Sequence, residues 1–248
     1  MRAIYGINPV REALTATRGT APQKLLVKKS RGDRVIDEIL KEAMSRNLFI
    51  ERTSVAKLTE AAGSSRHQGV VLLYASDEYE YSDIEDIIAD WKLSPSGDRA
   101  LILIVDSVED PGNLGAMIRS ALGAGAAGVI IPKDRAAGVT ATVVKASAGA
   151  TEHIQIAKVT NIARAIERLK KENIWVVGLS GGSANSIFTT DLDTNVAIVI
   201  GNEASGLRRL VEKSCDLTVS IPISGKLESL NAAQAATIAL FEVKRQRG

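Results

Sequence analysis

Short runs of branched apolar residues, set between longer segments of helical spacing, constrain this chain more than any other feature. The runs lie at 101–106, 129–132, 153–157, 174–178, 196–201 and 217–221. Segments with helical spacing separate or follow them at 113–122, 140–148, 161–172, 205–213 and 231–246. Strands that are apolar throughout, rather than at every second residue, are buried on both faces. Alternation with helices then predicts an α/β fold with a parallel sheet flanked by helices. Aromatic residues make up only 4% of the chain, which suits such a sheet better than a β-sandwich. Ligands of these sheets gather beyond the carboxyl ends of the strands. The loops that follow the apolar runs are therefore where function is sought.

Residues 1–76 read as a smaller α/β unit. Lys24–Val27 and Gly69–Tyr74 are its strands, and Arg34–Asn47 is a helix with Val35, Ile36, Ile39, Leu40 and Ala43 on one side. This head holds 13 Lys+Arg against 7 Asp+Glu, whereas residues 77–97 hold 1 against 7 and residues 98–248 hold 17 against 15. A basic head, an acidic connector and a near-neutral body divide the chain at 1–76, 77–97 and 98–248. In the connector, Ser82-Asp83-Ile84-Glu85 fits a capping box, and Ile84, Ile87, Ile88 and Trp91 follow at helical spacing. Lys24, Lys28, Lys29, Arg31 and Arg34 gather around one strand end of the head. They read either as a solvated surface or as a patch that contacts phosphates.

Several classes are excluded. With one cysteine, Cys215, and two histidines, His67 and His153, neither an intrachain disulfide nor a Cys/His zinc cluster is possible. No run approaches the roughly 18 to 20 apolar residues of a membrane span. The opening residues lack the apolar core of a secretory signal, so the expectation is a soluble, cytoplasmic protein. Gly123, Gly125 and Gly128 have dinucleotide-fingerprint spacing, but they follow a helix and precede a strand, the reverse of that motif. Helix termination explains them better. Ser180-Gly181-Gly182-Ser183 follows a strand but is a weak signal by itself.

Three segments carry more. In LILIVDSVEDPGNLGAMIRSA (101–121), a strand runs into a polar loop and Asn113 stands at a helix start. Asn113 reads as an N-cap or a site residue, and Arg119 as a surface cation or an anion-binding group. In NVAIVIGNEASGL (195–207), Gly201 permits close approach of a ligand to the backbone, and Glu203 stands at the strand's carboxyl end. In IPISGKLESLNAAQAATIALFE (221–242), Asn231 and Gln234 resemble a capping box, which leaves Ser229 unexplained.

Taken together, these segments have the order and spacing of the three motifs of the SpoU (TrmH) family of RNA ribose 2′-O-methyltransferases, in the knotted SPOUT class. VKASAGATEHIQI resembles the family's linking segment, and YGINPVREAL and HQGVVLLYA resemble its substrate-binding domain. The resemblance thus covers nearly the whole chain, and is greatest to the bacterial 23S rRNA guanosine 2′-O-methyltransferase branch. Two departures are Asp110-Pro111, where many relatives have Asn-Pro, and Asn231-Ala-Ala-Gln, where a more apolar run is common.

The resemblance implies a deep C-terminal trefoil knot over roughly residues 195–240 and an L30e-like N-terminal RNA-binding fold. It implies S-adenosylmethionine bound in a bent form at Gly201, Ile221 and Leu230, largely through backbone. It also implies a catalytic site of Asn113, Arg119, Glu203, Ser229 and Asn231. No metal is implied. The implied partners are 23S rRNA or the assembling large subunit, and a second copy of the chain in a homodimer. The competing expectations are the same chemistry on transfer RNA, a non-catalytic RNA-binding assembly factor, and a resistance methyltransferase acting on a ribosomal drug site.

Overall fold

The computed structural model describes residues 1–16, 20–29, 33–225 and 229–248. In chain order its elements begin with β1 (Ala3–Tyr5), α1 (Ile7–Thr15), β2 (Lys24–Lys28), α2 (Arg34–Ser45), β3 (Phe49–Thr53), α3 (Val55–Ala62) and β4 (Val70–Leu73). Then come α4 (Ile84–Leu93), β5 (Leu101–Val105), α5 (Pro111–Ala124), β6 (Gly128–Pro132) and α6 (Ala141–Ala146). The chain finishes with β7 (Gln155–Val159), α7 (Ile162–Lys170), β8 (Trp175–Leu179), β9 (Val196–Ile200), α8 (Arg209–Ser214), β10 (Leu217–Val219) and α9 (Ala232–Arg247). Contacts divide the chain into two units, Met1–Glu80 with Val139–His153, and Tyr81–Gly138 with Ile154–Gly248.

The first unit is a four-stranded mixed sheet in the order β1-β4-β2-β3. Leu26, Val71, Tyr5 and Leu58 form a cluster on its α3 side. Ile36, Ile39, Leu40 and Ala43 of α2 are buried, the stripe expected from their spacing. The strand β3 escapes sequence pattern because Glu51 and Arg52 interrupt its apolar character at a sheet edge. The segment 139–153 joins this unit through specific groups. Arg2 donates two hydrogen bonds of 2.9 Å to the Glu152 carboxylate and lies over the rings of Tyr74 and Tyr79. The Tyr79 hydroxyl donates to the Thr151 carbonyl at 2.8 Å.

The second unit is a six-stranded parallel sheet in the order β10-β8-β9-β5-β6-β7, as the alternating pattern predicts. Every residue of β5, β6 and β9 is buried. On one face, Ile87 and Ile88 of α4, Ile166 and Leu169 of α7 and Val211 of α8 pack against Ile102, Ile104, Ala197 and Val199. Elsewhere α5 packs along α9, where the Ser120 and Thr237 hydroxyls are 2.7 Å apart.

The acidic stretch read as a connector therefore supplies core. A Cβ on Gly128 would lie 2.6 Å from the Ile87 side chain, so the bare strand lets α4 seat closely. This helix starts after Asp83 rather than Ser82, because Ser82 is drawn into a bridge with β7 and donates its N–H to the Ile156 carbonyl at 3.0 Å. Gly125 caps α5 with φ +84, which is the helix termination expected there. Among the described residues, no helix is long and apolar enough to cross a membrane.

Truncating a core isoleucine removes buried apolar surface and leaves a cavity. Ile87→Ala should lower the unfolding free energy by about 2–5 kcal/mol in urea titration. A change under about 0.5 kcal/mol, the size typical of a surface site, would return α4 to the role of a connector.

Candidate active site

The segments that follow β8, β9 and β10 meet at the carboxyl edge of the parallel sheet and enclose a cavity of about 350 Å³. Leu179, Ser180 and Gly181 come from the first segment, and Ile200–Glu203 with Gly206 from the second. The third contributes Ile221, Ile223, Gly225, Ser229, Leu230 and the first turns of α9 at Ala232 and Ala235. Gly201, Ile221, Leu230, Glu203 and Ser229 thus share one wall system, although they come from two separate motifs. The Ser180-Gly181 pair, a weak signal in sequence, belongs to the same wall.

Asn231 has two jobs. Its Oδ1 accepts from the backbone N–H groups of Ala233 at 2.9 Å and Gln234 at 3.3 Å, which caps α9. Its Nδ2 donates to Asn113 Oδ1 at 3.0 Å and to Glu203 Oε2 at 3.4 Å. One amide therefore starts a helix with its oxygen and ties two other motifs together with its nitrogen. Asn113 is not the cap of α5. That position is Asp110, whose carboxylate accepts from the Asn113 N–H at 2.7 Å, with Pro111 opening the helix. Pro111 fixes the helical φ one residue after the cap, so the helix begins earlier than the apolar spacing suggests. The Asn113 side chain is left to meet Asn231.

Gly201 is required by the chain itself. A Cβ there would collide with the backbone of Gly206 and Leu207, which folds back to exchange hydrogen bonds with Asn202. Sequence reasoning passed over Asn202. Its Nδ2 donates to the Ser107 carbonyl at 3.0 Å, and its Oδ1 accepts from the N–H groups of Ala204 and Ser205. An asparagine directly after a strand-ending glycine is the available hint, since such side chains build turns. Arg119 is exposed on α5 and does not line the cavity.

Lys24, Lys28 and Lys29 do not share one strand end. Lys24 opens β2 while Lys28 and Lys29 close it, a separation of about 13 Å at the usual rise of a strand. Lys24 pairs with Glu51, Lys28 with Asp33 at 3.3 Å, and Arg34 with Glu38 at 3.5 Å. Hydrogen bonds from Lys24 and Lys57 hold the Glu51 carboxyl down at about 2. Surface pairs of this kind are weak, so they exchange readily for another anion. Arg31 lies outside the described residues.

Cys215 is no nucleophile at neutral pH, because burial pushes its thiol up to about 12 and its sulfur donates to the Val211 carbonyl. Of the histidines, His67 Nδ1 accepts from the Gly69 N–H, and His153 Nε2 lies 2.9 Å from Glu12 Oε2. No cluster of three or more His, Cys, Asp or Glu side chains is placed to hold a metal ion among the described residues.

The cavity's volume falls within the roughly 300–1,000 Å³ of small-molecule sites. Its walls are glycine, alanine and branched aliphatic residues with the polar side chains of Ser180, Asn202 and Ser229, and Glu203 is the only charged side chain among the described residues that line it. That donor set fits an adenosine-sized group carrying a positive sulfonium, the character of S-adenosylmethionine. Fold and site together define an α/β protein with a small-molecule cavity at the carboxyl edge of a parallel sheet.

Residues 100–241 match the SpoU rRNA Methylase family, and residues 3–80 match the RNA 2′-O ribose methyltransferase substrate-binding domain. The chain is 40% identical over 245 residues to the 23S rRNA (guanosine-2′-O-)-methyltransferase RlmB of Xylella fastidiosa, covering 98% of this chain and 96% of the relative. The enzyme of the same description from Xanthomonas axonopodis pv. citri is also 40% identical, with the same coverage. Among solved structures, the SpoU methyltransferase AviRb of Streptomyces viridochromogenes in complex with AdoMet superposes with a TM-score of 0.80 at 27% identity, covering 99% of this chain and 90% of that one. The chain belongs to the SpoU rRNA methylase family and is a methyltransferase.

The double use of Asn231 is separable by mutation. Asn231→Asp keeps the capping oxygens but replaces the donor by a second carboxylate beside Glu203. Thermal unfolding should stay near wild type, whereas Asn231→Ala should lose about 1 kcal/mol with the cap. Methyl transfer should nevertheless fall in both variants, and wild-type methyl transfer by Asn231→Asp would assign Asn231 to the helix alone.

Proposed function

We propose that this methyltransferase transfers a methyl group from S-adenosylmethionine to the ribose 2′-hydroxyl of a guanosine in 23S rRNA. The observation that carries the reading is the convergence of Asn113, Glu203 and Asn231, from three distant motifs, through hydrogen bonds at Glu203, which lines the cavity. Bound S-adenosylmethionine supplies an activated methyl group on a sulfonium. The chain then has to align the hydroxyl with it and help remove one proton. Alignment is worth up to ~7–11 kcal/mol in favourable cases.

Gly201, Ile221 and Leu230 hold the cofactor in this reading. Asn113, Ser229 and Asn231 order the reacting groups, and Glu203 positions the nucleotide. Arg119 stabilises the developing alkoxide and clamps the neighbouring phosphate. A guanidinium is effectively always protonated, so it serves better as a charge than as a free base. Lys24, Lys28, Lys29, Arg31 and Arg34 contact RNA phosphates from an L30e-like first unit, while the bases carry specificity. The reading places the protein in the cytoplasm, acting on rRNA or on the assembling large subunit. It includes a trefoil knot formed by the C-terminal 195–240 segment.

Labelled S-adenosylmethionine incubated with unmodified 23S rRNA and with transfer RNA, followed by mapping of 2′-O-methyl positions, tests the whole proposal. The expected result is one methylated guanosine ribose in 23S rRNA, with at least about 100-fold slower transfer by Arg119→Ala, the size of losing one transition-state donor. Methylated transfer RNA would keep the chemistry and replace the substrate. Absence of cofactor binding would leave an RNA-binding assembly factor.

The proposal also includes a homodimer in which a second copy completes each site. Its support is the exposed position of Arg119, outside its own chain's cavity wall. If each site takes Arg119 from one chain and Ser229 from the other, mixing inactive Arg119→Ala and Ser229→Ala proteins should restore activity. Sites lacking both defects form in such mixed dimers. No recovery after subunit exchange, verified by tagged co-purification, would place both residues in one chain's site.

A further inference from the structure

The least exposed charged side chain near the cavity is one that the proposed chemistry does not use. Asp106, directly after β5, is fully buried and ion-paired with Arg208, whose side chain remains 41% exposed. Its Oδ1 accepts from Arg208 Nε at 2.7 Å, and its Oδ2 accepts from the Arg208 backbone N–H at 3.0 Å. Main chain and side chain of residue 208 are therefore both tied to one carboxylate. The next residue, Ser107, has φ +63, a left-handed conformation that is strained for a residue with a side chain. In that conformation its carbonyl accepts from Asn202 Nδ2 at 3.0 Å. Asn202 and Arg208 are the two ends of the turn that carries Glu203, and that turn is closed on itself by reciprocal backbone bonds between Asn202 and Gly206.

A buried charge and a strained residue, side by side, are costly features that persist where the surrounding structure fixes them. Here both are spent on the same short turn. We infer that Asp106 is a positioning residue for methyl transfer. Through Arg208, and together with Ser107, it fixes the 202–208 turn so that Glu203, which lines the cavity, meets Asn231. It does not touch the reacting groups itself. The inference rests on the methyltransferase reading of the cavity.

Kinetics of methyl transfer by the full chain test it, with calorimetric S-adenosylmethionine binding and thermal unfolding of the same samples. Asp106→Asn preserves shape and removes the charge. Its kcat should fall about tenfold or more, the scale of one charge-assisted hydrogen bond, with KM for RNA unchanged within about twofold. Arg208→Lys keeps the charge and, being partly exposed, tolerates the change in shape, but it loses the Nε donor. It should show the same selective loss in kcat, and the double variant should be no worse than either single one, as for residues acting as a unit. Wild-type kcat in Arg208→Lys, with Asp106→Asn losing activity only as it unfolds, would make the pair merely structural and overturn the inference. A wild-type chain that neither binds S-adenosylmethionine nor transfers methyl would overturn the underlying reading instead.

Discussion

The pairing of β5 with β9 is the constraint on which the site depends. Leu101 faces Val196 and Val105 faces Ile200 in parallel register, and the ladder continues as the Asp106 N–H donates to the Ile200 carbonyl at 2.7 Å. Residues about a hundred positions apart in the chain thereby end their strands at the same level. Everything useful begins one residue later on each side, with Asp106 and Ser107 on one strand and Gly201 and Asn202 on the other. A slip of one residue would turn each strand's side chains to the opposite face. The buried residues of β5 and β9 on both faces make that slip expensive, so the precision of the polar turn is set by the apolar strands beneath it.

Asn231 then closes the arrangement from a third direction. Because its oxygen is committed to the start of α9, its nitrogen has a fixed aim, and that aim falls on Asn113 and Glu203. A helix cap is usually a local device. Here the cap orients a cross-link, which couples the rigidity of a 16-residue helix to the geometry of the cavity.

Much of this was legible in sequence. Continuous apolar runs gave the parallel sheet, because double-sided burial leaves a plain local mark. The resemblance to the family's three motifs put forward Asn113, Arg119, Glu203, Ser229 and Asn231 together, of which Glu203 and Ser229 line the cavity and Arg119 does not. What escaped were pairings with no local mark. Asp106 reads as one more polar residue at a strand end, and its partner Arg208 lies 102 residues away. The α8 helix was expected from residue 205 and begins only at Arg209, because the preceding residues are folded into the Glu203 turn. Asn113 read as a cap because the apolar spacing starts there, whereas Asp110 and Pro111 begin the helix sooner. Lys24 and Lys28 looked like neighbours on paper, but an extended strand holds them at opposite ends.

The loan of residues 139–153 to the first unit bears on how the protein is made. When the first 80 residues of the N-terminal unit have been synthesised, Glu152 and Thr151, which accept hydrogen bonds from Arg2 and Tyr79, have yet to be translated. By the time they arrive, β5, α5 and β6 of the other unit have also been made. The two units are thus interleaved in the order of synthesis, and a chain cut after residue 80 would lack the 139–153 part of the first unit.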